Sequence, residues 1–311
     1  MAHTYYFNNV SAIIADADKP RLQVLRSSLY YMGFRETEWA ATTADLEEKA
    51  ERLKPDLIIA ALNLPGSDIS TYFRKIRAGL SGVDPFTPII AVLSEAAPAT
   101  VRRGVDSGAD DLVIHPWPAG YLDQRVQKLI HERKSFVVTA DYVGPDRRST
   151  QRPGRQAPKI TPPNVLEAKA LKRQDSETVL NAQSAARRTL GTHRARALAG
   201  LIVGLIDDLE QHHGCQERSS TDTLRRLIIS ADEASLQLRR AQDTTDAKTL
   251  TADIARHARL CRDAWEFGRI ANLEDLNRLA TRLARMFDIR RNPSSMTAER
   301  GVEEPPRLAA E

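Results

Sequence analysis

Few side chains in this 311-residue sequence stand where chemistry is usually done. Asp16 closes a short apolar run, Ser11–Asp16, while Ser94 follows Pro88–Leu93 and His115 follows Asp111–Ile114. A carboxylate so placed can join a divalent-cation site, which wants several oxygen ligands. Neutral His115 carries no charge, but its protonated form supplies one near neutral pH. A second set is imidazole alone: His193, His212, His213 and His257. His257 lies mid-helix in Ala-Arg-His-Ala-Arg-Leu-Cys, one position from an apolar stripe. It could pass on a phosphoryl group, or be an ordinary half-buried histidine. His212-His213 falls at a helix end, where a cation suits the dipole without catalysis. Cys215 and Cys261 form no ligand pattern and no disulfide framework. No glycine-rich phosphate loop or kinase nucleotide motif occurs.

Apolar periodicity places the first set. Short runs at Ser11–Asp16, Glu38–Ala41, Leu57–Ala61, Pro88–Leu93 and Asp111–Ile114 alternate with amphipathic stretches. The first stretch carries Leu22, Leu25, Leu29 and Met32 and ends at Gly33; the second spans Thr43–Leu53, with Thr42 or Thr43 as N-cap. Three more follow, near Asp68–Ala78, Pro98–Ser107 and Gly120–Arg133. Five βα units predict a parallel sheet covered on both faces, because parallel strands need crossover helices. Ligand chemistry in such a sheet belongs at the carboxyl ends of the strands.

Leu-Asn-Leu-Pro at 62–65, Ser-Gly-Ala-Asp at 107–110, His-Pro-Trp at 115–117 and the helix closing at Gly33-Phe34 supply further landmarks. With them, residues 1–133 resemble the receiver domain of chemotaxis-type bacterial response regulators. The resemblance implies a flavodoxin-like (βα)5 fold. It also implies a site: an acidic pair ending the first strand that helps hold Mg²⁺, and a phosphoacceptor aspartate, four residues before a proline, ending the third. The fourth strand would end in Ser or Thr, and the fifth would be followed by a lysine and a cis-proline. Carried onto this sequence, these positions hold Asp16 and Ala17, Ala61, Leu93 (with Ser94 adjacent) and His115. Leu112 takes the place of the aromatic side chain whose rotation accompanies activation. A methyl group cannot attack phosphorus, and Asp16 with the carbonyl of Asn63 is a poor cation set. Asp18 and Asp68 are the substitutes within reach. Asp18, however, lies beyond the strand, and Asp68 begins a helix, where an acid complements the dipole. The pocket is therefore expected to be degenerate, with no catalytic residue, metal or cofactor. Receivers commonly present the face built by their last helices and strand to partners, which gives Val101, Leu112 and Tyr121 as a candidate partner surface.

With 41% hydrophobic residues the chain is long enough for two cored domains. Its net charge of +4 is uneven: residues 1–133 hold 15 Lys/Arg and 17 Asp/Glu, whereas residues 134–175 hold nine and four. That basic segment is dense in proline (Pro145, Pro153, Pro158, Pro162, Pro163), which forbids a continuous helix. Residues 134–177 are expected to be an extended linker, with Phe136-Val137-Val138 as a short extended piece. It reads as a solvated spacer or as a docking strap for a partner or an acidic surface.

Residues 178–291 show four amphipathic helices joined by polar turns, which predicts a separate all-α bundle. The stretch with Leu190, Leu198, Leu201, Ile202, Leu205 and Leu209 ends at Gly214. The next begins after the capping cluster Ser219–Asp222, a third ends at Gly268, and a fourth opens at Asn272. Gly200 and Gly204 would let a neighbour approach, either bundle core or a homodimer seam. The tail 292–311 reads as disordered.

A bundle beside a receiver resembles phosphotransfer proteins, but those usually continue Ser/Thr-Leu-Lys-Gly after the histidine. Here Ala258-Arg259-Leu260-Cys261 follows His257. Arg225-Arg226 and Arg239-Arg240 are interleaved with acids, which argues against a nucleic-acid-reading helix. No apolar run approaches the roughly 20 residues of a membrane span, and the N-terminus lacks signal-peptide features, so a cytoplasmic protein is expected. The resulting reading is a non-enzymatic signalling adaptor. Its phosphorylation-independent pseudo-receiver would meet protein partners, and its helical domain would oligomerise or dock. The rivals are a phosphotransfer protein acting through His257 and a nucleic-acid-binding regulator.

Overall fold

The computed structural model describes residues 5–147, 157–172, 176–211, 218–243, 245–267 and 273–291. They fall into two compact units, 1–194 and 195–311. In the first, strands β1 (Ser11–Ala15), β2 (Glu36–Ala40), β3 (Leu57–Ala61), β4 (Ile89–Leu93) and β5 (Asp111–Ile114) alternate with five helices. These are α1 (Lys19–Met32), α2 (Thr43–Leu53), α3 (Ile69–Arg77), α4 (Pro98–Asp106) and α5 (Tyr121–His131). The strands form one parallel sheet in the order β2-β1-β3-β4-β5, as the alternation predicts. Side chains of a strand point alternately to opposite faces. Ile14, Ile59 and Ile90 accordingly pack with α1 and α5, while Ile13, Ile58 and Ile89 pack with α2 and α3.

Helix ends follow local chemistry. Asp18, Thr42 and Asp68 cap α1, α2 and α3 by accepting backbone N–H bonds, and Gly33 closes α1 at φ 106°.

The expected extended linker is different in the structure. Strands β6 (Phe136–Val138), β7 (Val143–Pro145) and β8 (Lys159–Ile160) form an antiparallel sheet in the order β7-β6-β8, and α6 (Val165–Leu171) follows. Proline is excluded from central strands but not from edges, and Pro145 lies on the edge strand β7. Leu166 and Ala170 of α6 are fully buried in the core beneath α1 and α5. Three of the segment's basic side chains are engaged within the first unit. Arg147 donates to the Ala109 carbonyl at 2.6 Å, Lys159 pairs with Asp146 at 2.8 Å, and Lys169 pairs with Asp56 at 2.7 Å. Residues 148–156, including Pro153, lie outside the described residues.

Gly108 makes this docking possible. Its φ is +82°, and an added Cβ would stand 2.9 Å from the Val143 carbonyl oxygen. Gly108→Ala is expected to cost about 1–3 kcal/mol through strain and overlap, read as a lower thermal midpoint; an unchanged midpoint would mean that β7 does not seat there.

Helix α7 (Ser176–Gln211) contributes residues up to Arg194 to the first unit. There Leu190 joins Phe86, Phe136, Val138, Val143 and Ile160 in one cluster. The second unit holds the remainder of α7 with α8 (Arg218–Arg240), α9 (Ala247–Glu266) and α10 (Glu274–Phe287). One core draws on all four: Leu198, Ile202 and Leu205; Leu224, Leu227 and Ala231; Leu250, Ile254 and Cys261; Leu276, Leu279 and Leu283. Two details depart from expectation. Ser219–Asp222 lies inside α8 rather than before it, since the helix already begins at Arg218. Gly200 and Gly204 face open space, with nothing within 4 Å of an added Cβ, so neither serves a close helix contact among the described residues. His212, His213, Gly214, Cys215, Gly268, Asn272 and the tail 292–311 lie outside the described residues. Among those described, no helix is long and apolar enough to cross a membrane.

Candidate functional site

Parallel pairing in register brings the carboxyl ends of β1, β3, β4 and β5 to one edge of the sheet. The sequence-derived positions meet there: Asp16 and Ala17 after β1, Ala61 ending β3, Leu93 and Ser94 at β4, and His115 after β5. Ala61 and Leu93 are buried, Ala17, Ser94 and His115 are exposed, and the His115-Pro116 peptide is cis. The His115 ring stands edge-on to Trp117, centroids 5.4 Å apart.

Asp16 is 2% exposed, and both its oxygens are engaged. Arg21, one turn into α1, donates from Nη2 to Oδ1 at 2.7 Å and from Nε to Oδ2, and the Asp18 N–H donates to Oδ1 at 2.9 Å. A forked guanidinium matches a carboxylate with two parallel bonds, the strongest form of such a pair. The hydrogen bond with Asp16 also raises the pKa of Arg21, against a smaller cost of burial. A permanent cation thus sits on the one surviving carboxylate. Among the described residues no group of three or more His, Cys, Asp or Glu side chains could hold a metal ion.

A second arginine acts on the neighbouring loop. Arg103 of α4 donates to the Leu62 carbonyl at 2.9 Å, to Ser70 Oγ at 3.0 Å and to Asp68 Oδ1 at 2.7 Å. Asp68 is thereby both the cap of α3 and the anchor of α4. Partial burial opposes its charge, but bonds from Arg103, the Ser70 N–H and Thr71 outweigh that and hold its carboxyl below the usual aspartate range. A depressed carboxyl contributes stability above its unfolded pKa and loses it as pH falls through the folded value; this contribution should therefore fade only on acidification below the ordinary aspartate range. Arg103→Met is expected to speed amide exchange in α4 while leaving β3 and β4 protected, because it cuts the tie without touching the core. Unchanged exchange in α4 would refute the tie.

Of the candidate partner residues, Val101 and Leu112 are half-buried and pack on the same core cluster. Leu112 lies beneath α4, where a Cβ on Gly104 would come within 2.8 Å of its Cδ2. Tyr121 belongs to the opposite cluster, with the Arg125 guanidinium 5.6 Å from its ring. Val101 and Leu112 thus pack on one side of the sheet and Tyr121 on the other. His257 lies in the second unit, half-buried, its Nδ1 3.8 Å from the Asp275 carboxylate. His193 is half-buried on α7 and has interactions of its own. Sequence reasoning overlooked Arg21 and Arg103. Arg21 left one signal: a cation in a helix's first turn is disfavoured by the dipole and needs a local anion.

Residues 12–127 match the family model of the response regulator receiver domain. This segment is a receiver domain. The chain is similar to transcriptional regulatory protein PrrA of Mycobacterium tuberculosis, 27% identical over 148 residues, covering 47% of this chain and 60% of the relative. It is 32% identical to AfsQ1 of Streptomyces coelicolor over 130 residues, covering 40% of this chain and 54% of the relative. The chain thus spans little more than half the length of these curated relatives. Among solved structures, the chemotaxis response regulator CheY4 of Vibrio cholerae is 24% identical, covering 39% of this chain and 98% of that one with a TM-score of 0.35. The receiver domain of a Pseudomonas aeruginosa sensor histidine kinase is 28% identical, with 38% and 95% covered and a TM-score of 0.34. In the receiver domain of this chain, Ala61 ends the third strand and Arg21 holds Asp16.

Proposed function

We propose that this receiver domain works without phosphorylation, as a non-enzymatic signalling adaptor held in one state. The observation that carries the reading is the engagement of both Asp16 oxygens by Arg21, beside a methyl group at the Ala61 position. The guanidinium supplies the positive charge that a divalent cation would bring, and it is tethered, so no ion or phosphoryl group is needed to fix the loops. Arg103 supports the same reading by tying α4 to the loop after β3. Leu112 beneath α4 leaves no aromatic side chain to rotate there. Receiver domains in two-component pathways meet partner proteins, and here the surface offered would be constant. The second unit, with its single apolar core from four helices, serves as a docking or oligomerisation element.

Incubation of the full chain with Mg²⁺ and acetyl phosphate, followed by intact mass, should leave the mass unchanged. A phosphoryl adduct would overturn the reading, and its chemistry would name the site: an adduct removed by alkali or hydroxylamine would mark a carboxylate such as Asp18 or Asp68, whereas an acid-labile, alkali-stable adduct at His257 would point to phosphotransfer. A second reading is favoured by the relatives, which are transcriptional regulators by name: the chain would then act on DNA. Steeply salt-dependent binding of random duplex would support it.

A further inference from the structure

A cavity of about 470 Å³ lies at the amino-terminal ends of β3 and β4, away from Ala61 and Leu93. Lys54 and Asp56 precede β3, Phe86 precedes β4, and the outer wall comes from α6 through Val165 and from the first turns of α7 through Leu180. All of these residues belong to the first unit. The size falls in the range of small-molecule sites, which are apolar with a few placed polar groups. Leu180 is 61% exposed although it lines the cavity, so the apolar wall lacks a cover.

The polar groups are unequal. Asp84 is saturated: Oδ1 takes the Phe86 N–H at 2.7 Å, and Oδ2 takes Gln183 at 2.7 Å together with Arg187. Asp56 is 7% exposed, and its Oδ2 takes three donors: the Ser11 N–H at 2.9 Å, Ser11 Oγ at 3.0 Å and Lys169 Nζ at 2.7 Å. Its Oδ1 has no hydrogen-bond partner among the described residues. An ionised carboxylate oxygen can accept more than one hydrogen bond, so Oδ1 keeps acceptor capacity for a ligand cation or N–H. Two residues away, Lys54 closes α2 in the left-handed region, exposed, with no acceptor for its Nζ among the described residues.

We infer that this cavity binds a small zwitterion with an apolar body, of the hydrophobic α-amino-acid class. The ammonium would meet Asp56 Oδ1, the carboxylate would meet Lys54 with Lys169 beside it, and the side chain would lie against Phe86, Val165 and Leu180. A bare inorganic anion would leave the apolar wall and Asp56 unused. An uncharged hydrocarbon would leave both spare polar groups unpaired. The inference does not rest on the phosphorylation reading, since the site lies at the opposite ends of the strands.

Calorimetric titration of the full chain with L-phenylalanine should give saturable binding of one molecule per chain. N-acetyl-L-phenylalanine, which lacks the ammonium, and L-phenylalaninamide, which lacks the carboxylate, should each bind on the order of tenfold more weakly, as expected for losing one charged hydrogen bond. Lys54→Gln, a change at an exposed side chain, should weaken L-phenylalanine similarly while leaving the thermal midpoint unchanged. Absence of saturable binding, equal affinity for the N-acetyl compound, or an indifferent Lys54→Gln variant would each overturn the proposal.

Discussion

Asp110→Ala should destabilise the first unit by about 3–5 kcal/mol, the cost of leaving buried charge without its partner. Asp110 sits between two arginines that water does not reach: its side chain is 3% exposed, that of Arg77 0% and that of Arg133 4%. Arg77 donates to Asp110 Oδ2 at 2.6 Å, and Arg133 donates to Oδ1 at 3.3 Å. Both guanidiniums also face the ring of Phe136, at 5.0 and 5.4 Å from its centroid. Burial pushes the pKa of Arg77 down, and Asp110 is the chief influence opposing it. Without the carboxylate, two cations remain with only carbonyl oxygens, such as those of Gly108, Pro85 and Thr87 on Arg77. The expected readout is a lower urea midpoint at unchanged slope. The double variant Arg77→Met, Asp110→Leu should lose less than Asp110→Ala, because it removes charge and countercharge together. Equal midpoints for wild type and Asp110→Ala would contradict this account.

A chain ending at residue 133 should fail to unfold cooperatively, whereas a chain ending at residue 194 should keep a sharp transition. The shorter chain contains all five βα units, and on the sheet alone it would be complete. It lacks, however, Phe136 beneath the two arginines and Leu166 in the core between α1 and α5. It also lacks Asn164, which donates to the Leu129 and Ile130 carbonyls at 2.9 and 3.0 Å at the end of α5. A fully buried Phe, Leu, Ile or Val is worth about 1.5–3 kcal/mol. Losing Phe136, Val138, Ile160 and Leu166 therefore removes an amount comparable to a domain's whole stability of about 5–15 kcal/mol. Circular dichroism during thermal unfolding distinguishes the outcomes. A sharp transition in the shorter chain would show that residues 134–172 are an appendage.

The sheet was legible because short continuous apolar runs and helix-period stripes are local patterns, and here they agree with capping at Asp18, Thr42, Asp68 and Gly33. That Ala61 ends β3 was legible because register from Pro65 is a matter of counting. Two things were not. The proline-dense segment reads in sequence as a spacer or strap, since proline reports what a residue cannot join, not that an edge strand such as β7 can dock on Gly108. Nor does its positive charge show in sequence that Arg147 and Lys169 are held by groups far away in the chain. Arg21 and Arg103 escaped notice for a similar reason. An arginine's partner is set by three-dimensional reach, and the bond from Arg103 to Leu62 spans 41 positions.

We propose that the pocket is disabled by the Arg21–Asp16 pair as well as by alanine at position 61. Intact mass after incubation with Mg²⁺ and acetyl phosphate tests it on two variants, Ala61→Asp alone and Ala61→Asp combined with Arg21→Ala. No appreciable phosphoryl adduct is expected on the single variant, because the guanidinium still occupies both Asp16 oxygens, and a measurable gain is expected when Arg21 is also removed. Efficient phosphorylation of Ala61→Asp with Arg21 intact would contradict it.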